Sequence, residues 1–177
     1  GPDLGAMTIF FYSWQQRELI YDIIQELTGT RLTTTYTRIG GLASDMPKGL
    51  DIKIKKFLLE LPKVLESIEG LLTNNKIFID RTKGVGVLKK EVALSYGITG
   101  PNLRASGIDH DLRKDIPYLA YNEFDFNVVT EEDGDCYARY LIRLAEIRES
   151  MKIVEQAISG MPEGEFNADS PKYVLPS

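Results

Sequence analysis

The sequence predicts a mainly α-helical fold with a minor β component, an α+β chain organised around a helical bundle. Three observations predict it. Apolar residues recur at steps of three and four over residues 8–27, 48–72 and 135–159. The stretches between them are alternating or β-branched but short, too short for a substantial sheet. The composition, 43% hydrophobic and 27% charged over 177 residues, suits one compact domain with a sizeable core.

The first helix carries Phe10, Phe11 and Trp14, then Ile20, Ile23, Ile24 and Leu27, with Arg17, Glu18, Asp22 and Glu26 off that stripe. Thr8 is placed to cap it and Gly29 to end it. Residues 30–41, TRLTTTYTRIGG, are β-branched and end on a glycine pair. Asp45-Met46-Pro47 reads as a turn. In residues 48–72 the stripe is Ile54, Leu58, Leu61, Leu65, Ile68 and Leu72, and Pro62 inside it predicts a kink or two consecutive helices. Residues 77–79 and 84–87 read as short strands or extended connections, and 91–96 as a short helix ended by Gly97. Residues 99–117 have the composition of a loop. Residues 123–129 alternate polar and apolar, which predicts a half-buried strand. Asp135 caps the last helix, whose stripe is Tyr137, Leu141, Leu144, Ile147, Met151, Val154 and Ile158, with Gly160 and Pro162 ending it. The division expected is a helical core over residues 3–162 and an extended polar tail over 163–177. Gly1-Pro2 reads as the scar of a cleaved tag.

Charge and composition exclude several functions. A net charge of −5 and a pI near 5.0 argue against binding nucleic acid by neutralising phosphates. One cysteine, Cys136, excludes an internal disulfide and a cysteine-caged metal or iron–sulfur cluster supplied by this chain alone. One histidine, His110, excludes the usual multi-histidine metal site. No apolar run approaches membrane-spanning length. The expectation is a soluble domain with few catalytic side chains.

The remaining chemistry is sparse. Gly84-Val85-Gly86-Val87 lacks the third glycine, the lysine plus hydroxyl and the strand–helix frame of a phosphate loop, so it reads as a backbone turn. Asp109-His110-Asp111 brackets the histidine with carboxylates, but no nucleophile lies near it in the sequence, and a surface loop histidine is expected. Cys136 stands at a helix N-terminus and reads as a small buried residue. Glu131, Glu132, Asp133 and Asp135 lack the twelve-residue calcium pattern and suit a helix dipole. Arg31, Arg38, Arg104 and Arg113 lie in glycine-bearing stretches, where arginines pin carbonyls or pair with buried carboxylates.

Asp3 precedes Met7, Phe10 and Trp14 at steps of four, three and four. If helical geometry extends back to it, one face presents a carboxylate beside an apolar, aromatic wall suited to a planar quinone or another amphipathic ring. The pattern alone favours the plainer reading, with Phe10 and Trp14 in the core and Asp3 a helix cap.

Several segments together carry a family resemblance. They are Asp3-Leu4-Gly5-Ala6-Met7-Thr8 with Phe10-Phe11, Tyr36-Thr37-Arg38-Ile39-Gly40-Gly41, Leu103-Arg104-Ala105-Ser106-Gly107 and Asp111-Leu112-Arg113-Lys114. Gly134-Asp135, Arg139-Tyr140-Leu141 and Arg148-Glu149-Ser150 continue the series. The chain resembles the 49 kDa subunit family of respiratory complex I, the NADH-quinone oxidoreductase, over residues 3–176.

The resemblance implies a helical core built like the large subunit of nickel–iron hydrogenases, without the nickel. It implies a place in the peripheral arm, on the cytoplasmic side of a bacterial inner membrane. The partner there is the subunit carrying the terminal iron–sulfur cluster, and the pocket for the quinone head lies between the two. Flavin and iron–sulfur clusters belong to partner subunits, and quinone is the shared substrate. The enzyme passes electrons from NADH to quinone and couples this to proton translocation. This chain corresponds to the central part of the subunit. The family's Gly-Pro-Gln-His-Pro motif lies upstream of it, and the pocket tyrosine also lies outside it.

By the same resemblance Asp3 matches the aspartate that partners the motif's histidine, and takes a catalytic role. Phe10 and Trp14 match aromatic positions near the pocket, and Arg31 matches an arginine near the terminal cluster; these three line the quinone and cluster side. No residue here is expected to hold a metal. Thr33 stands where many members have a histidine, and His110 where relatives often have an aromatic residue. The 177-residue chain alone is expected to be inactive. Two other readings stand beside this one: a structural helical assembly module, and a fragment of a membrane-bound hydrogenase large subunit.

Overall fold

Each stretch with three-and-four apolar spacing is a helix in the structure, a computed structural model that describes residues 1–169. Helix α1 spans Met7–Thr28, α2 spans Leu50–Leu72 and α7 spans Cys136–Ser159. Between α2 and α7 lie four short helices: α3 (Lys76–Thr82), α4 (Lys90–Ser95), α5 (Gly100–Arg104) and α6 (Leu112–Asp115). The β component is a two-stranded antiparallel hairpin, β1 (Thr37–Arg38) with β2 (Gly41–Leu42), pairing Thr37 with Leu42 and Arg38 with Gly41. The mainly helical expectation with minor β content holds.

Helix α2 is the centre of the arrangement. It packs against α1 on one side and α7 on the other, while α3 and α5 also contact α7. One buried cluster joins Ile9 of α1, Ile68 and Leu72 of α2 and Phe78 of α3, closed by Tyr137 and Tyr140. A second joins Leu61, Leu65 and Leu144, and a third joins Ala105, Ala138 and Ile142. Burial of these side chains supplies most of what holds short helices that would not persist alone.

Several expectations are corrected. Thr8 lies inside the first turn of α1, whose N-cap is Ala6 with no side-chain cap. Gly29 ends the helix as expected, at φ 80° with its N–H on the Gln25 carbonyl. Helix α2 runs unbroken through Pro62. The proline removes the N–H that Leu58 would bond, but Leu61 before it and Leu65, Ile68 and Leu72 after it are buried along one face, and that packing keeps one helix. Residues 77–79 belong to α3 rather than to a strand, because the Asn75 side chain accepts from the N–H groups of Ile77 and Phe78 and caps a helix.

Residues 123–129 form no strand; a 3-10 turn covers Tyr121–Glu123 and an extended segment follows. Its backbone is satisfied by side chains of α7 instead of a ladder. The Asp125 N–H donates to Gln156 Oε1 at 2.8 Å, and the Asn127 N–H to Glu149 Oε2 at 2.9 Å, while Phe126 is buried. The loop expected over 99–117 contains α5 and α6, the latter capped by Asp111. On α7 the buried side chains are Ala138, Ile142, Leu144 and Ile153, whereas Ile147 and Val154 of the expected stripe are exposed. The helix is packed on two sides, by α2 and by α5, so its buried positions do not form one stripe.

After α7 the chain returns to the hairpin. The Leu42 N–H donates to the Phe166 carbonyl and the Ala168 N–H to the Gly40 carbonyl, both at 2.9 Å. Gly41 is required there, since a Cβ would lie 2.4 Å from the Phe166 oxygen. Of the tail expected over 163–177, residues 170–177 lie outside the described residues.

Candidate functional site

Of the residues singled out for a quinone site, Phe10 and Trp14 lie on an exposed face of α1, while Asp3 precedes that helix and Arg31 follows it. Phe10 and Trp14 are one helical turn apart, so their rings meet at a centroid distance of 5.4 Å, and Phe11 joins Phe10 edge-on at 5.7 Å. Phe10 is 39% and Trp14 43% exposed, which corrects the reading of both as core. The next turn adds Arg17, whose guanidinium sits 4.7 Å from the Trp14 ring and 4.9 Å from the Tyr21 ring. Arg17 Nε donates to the Tyr21 hydroxyl at 2.6 Å.

Arg31 folds back onto the same helix. It donates to Glu18 at 2.6 Å, to Asp22 at 2.7 Å and to Gln25 at 3.0 Å, and lies 5.7 Å from the Tyr21 ring. These acceptors, first the hydrogen bond to Asp22, hold its guanidinium above its ordinary pKa. The result is a ladder of Phe10, Trp14, Arg17, Tyr21 and Arg31 along one helix. An exposed aromatic surface flanked by guanidinium groups can stack a planar ring. It offers no nucleophile paired with a base.

Asp3 is not on that helix. Pro2–Leu4 form a 3-10 turn, and Gly5 at φ 81° reverses the backbone before α1 begins. The helical geometry does not extend back to Asp3, so the one-face juxtaposition of Asp3 with Met7, Phe10 and Trp14 does not form. Asp3 stands exposed just ahead of the helix, with no side-chain hydrogen bond among the described residues. The structure therefore brings Phe10 and Trp14 together, ties Arg31 to the same helix and leaves Asp3 at its approach.

The other candidates are structural. Residues 84–87 are a backbone turn: the Gly84 N–H donates to Asp135 Oδ2 at 2.7 Å, and the Gly86 carbonyl accepts from Arg139 at 3.0 Å. Cys136 is half-buried, with Sγ 3.1 Å from Arg139 Nη2. His110 is half-exposed and its Nδ1 meets Asp115 at 2.6 Å, rather than either flanking aspartate. Among the described residues no group of histidine, cysteine and carboxylate side chains could hold a metal ion.

Arg104 and Arg113 do pin buried carboxylates. Arg104 pairs with Glu146 at 2.6 Å and Arg113 with Asp111 at 2.7 Å. Glu146 was not anticipated. It lies on α7 in series with the buried Ala138 and Ile142, four residues beyond the latter. A carboxylate in register with a buried stripe is the sequence signal that would have found it.

Comparison with known proteins decides the family. The family model for the 49 kDa subunit of respiratory-chain NADH dehydrogenase matches residues 3–177. The chain belongs to that family. The NADH-quinone oxidoreductase D subunit of Methylacidiphilum infernorum is 53% identical over 175 residues, which is 98% of this chain and 42% of that protein. The corresponding D subunit of Koribacter versatilis, the one numbered 2, is 51% identical over 98% of this chain and 43% of its own length. That of Akkermansia muciniphila is 49% identical over 99% and 42% respectively. The chain thus spans less than half the length of these family members. Among its described residues, no helix is long and apolar enough to cross a membrane.

Proposed function

We propose that the chain is the part of an NADH-quinone oxidoreductase peripheral-arm subunit that walls the quinone-reduction site beside the terminal iron–sulfur cluster. The observation that carries the reading is the family match over residues 3–177, joined to the exposed aromatic pair of Phe10 and Trp14. In this reading the aromatic face of α1 packs near the quinone head. Asp3, preceding that face, orients the upstream histidine that contacts the quinone. Arg31 sits on the cluster side. The hydrogenase-like architecture and the coupling to proton translocation belong to the same proposal and rest on the sequence resemblance. In this reading flavin and clusters are supplied by partner subunits; the one cysteine of these 177 residues cannot by itself ligate a cluster.

The test is Asp3→Asn in the whole enzyme, which removes the charge and keeps the shape. Lost quinone reduction with the enzyme still assembled supports the site. Unchanged turnover overturns it and favours a second reading, a helical assembly module; the exposed apolar side chains of all three long helices support that one. The 177-residue chain alone should reduce no quinone, and measurable quinone reductase activity in it contradicts the proposal.

A further inference from the structure

One flank of the molecule has a composition unlike the rest. Residues 76–96, comprising α3, the following turn and α4, carry Lys76, Arg81, Lys83, Lys89 and Lys90 against only Asp80 and Glu91, in a chain of net charge −5. All five basic side chains are exposed. None lies within ion-pair distance of a carboxylate among the described residues. Glu132 and Asp133 face Lys89 and Lys90 across a shallow cleft without pairing with them. The same segment exposes apolar groups: Val85 is 47% and Val87 52% exposed, and Ile77, Leu94 and Tyr96 more so.

The turn that presents Val85 and Val87 is fixed from beneath. The Gly84 N–H is held by Asp135, and the Val85 carbonyl accepts from the Cys136 N–H at 3.0 Å. The Leu88 N–H donates to the Gly134 carbonyl at 2.9 Å, and the Leu88 carbonyl accepts from Ser106 at 2.9 Å. Three anchors lie at the start of α7 and the fourth, Ser106, just after α5, so the turn's backbone is held in place ahead of any partner.

We propose that this flank docks a neighbouring subunit through a surface with an apolar centre and a surround of Asp and Glu side chains. The proposal rests on the reading that the chain works inside a multisubunit enzyme. Charge complementarity selects the sign of the partner: unpaired cations around an apolar patch attract an acidic rim and repel a basic one. The fixed turn selects a protein over an anionic bilayer. A bilayer accepts basic and apolar side chains in any arrangement, whereas Val85 and Val87, held at set positions by the anchored turn, suit a shaped socket. The mixture of charge and apolar groups also differs from the groove between α1, α2 and α7, which is lined almost wholly by apolar side chains and resembles an opened domain core.

The experiment uses the whole enzyme, with the photo-crosslinker p-benzoylphenylalanine placed at Val87. Irradiation is expected to join it to another subunit, at a peptide rich in Asp and Glu. Adducts confined to lipid, adducts confined to the subunit's own chain, or no adduct each overturn the proposal. In the same enzyme, Lys83→Glu, Lys89→Glu and Lys90→Glu combined should lower the adduct yield about tenfold, and leave quinone turnover per assembled complex unchanged. A wild-type adduct yield in the charge-reversed enzyme also overturns it. Asp3→Asn is expected to do the reverse, sparing the adduct and stopping turnover, so failure of the docking surface and failure of the quinone-site reading are distinguishable.

Discussion

Arg104 is a buried cation, and the side chains around it explain why it is tolerated. Its guanidinium meets Glu146 at 2.6 Å, donates to the His110 carbonyl at 2.8 Å and lies 3.8 Å from Asp111. The side chains of Arg104 and Glu146 are 9% and 20% exposed, so water compensates little if one partner goes. Breaking a buried pair from one side costs about 3–5 kcal/mol. Glu146→Ala is therefore expected to lower the unfolding free energy by roughly that amount in urea titrations; a loss below about 1 kcal/mol would mean solvent reaches the cluster freely. Asp111 gives the cluster a pH dependence. The Arg113 guanidinium bonds its carboxylate and, against the opposing effect of burial, holds it below the usual range. A depressed carboxylate contributes stability that is present above its unfolded value, about 4, and is lost as pH falls through the folded value. Asp111→Asn keeps a competent cap and removes the charge. The gap in urea midpoint between wild type and variant should hold constant above about pH 5 and close below about pH 4; a gap independent of pH would remove the carboxylate from the account.

The long helices were legible because apolar residues repeat at the helical period in all three, although α2 alone among them buries such a repeat as one face. Of the short ones only 91–96 was legible, and it is α4, Lys90–Ser95, with Gly97 just beyond it. Helix α3 depends on Asn75 as a cap, α6 depends on Asp111, and neither is long enough to show a period. The 123–129 alternation was real, but its hydrogen bonds go to Gln156 and Glu149 on α7, partners that no local pattern reveals. In the candidate site the spacing of Phe10 and Trp14 gave their stacking, while the break at Gly5 was hidden because glycine tolerates both helical and reversed backbone. The capping of α7 is the clearest case of a readable element with an unread consequence. Asp135 is 2% exposed and accepts from the Ala138 N–H and, with its other oxygen, from the Gly84 N–H, both at 2.7 Å. One carboxylate thus caps a helix and fixes the turn 51 residues earlier. Asp135→Ala should cost about 2–4 kcal/mol, more than a cap alone, because it also leaves a half-buried N–H unpaired. Thermal unfolding checks this, and a loss of only about 0.5 kcal/mol would reduce Asp135 to an ordinary exposed cap.

Taken as a body, the described residues enclose three modest clusters rather than one continuous core, and they leave large apolar side chains uncovered on each long helix. Three of them, Ile20, Ile147 and Val154, meet in one place beside half-buried neighbours. Ile20 and Ile23 of α1, Ile54 and Leu58 of α2, and Ile147 and Val154 of α7 line an open groove of about 360 Å³. Helix α2 forms its floor, and the three stripes repeat at the steps used in bundle interiors. Apolar surface of this kind drives association when nothing else covers it. The isolated 177-residue chain is therefore expected to self-associate with rising concentration, which sedimentation velocity reads directly. Ile147 and Val154 are exposed, so Ile147→Glu with Val154→Glu places charge in the groove without opening any of the three clusters. That double variant should sediment as a monomer with an unchanged helical circular dichroism signal. A wild-type chain that stays monomeric at millimolar concentration, or a double variant that associates as strongly as wild type, would mean the groove does not drive association.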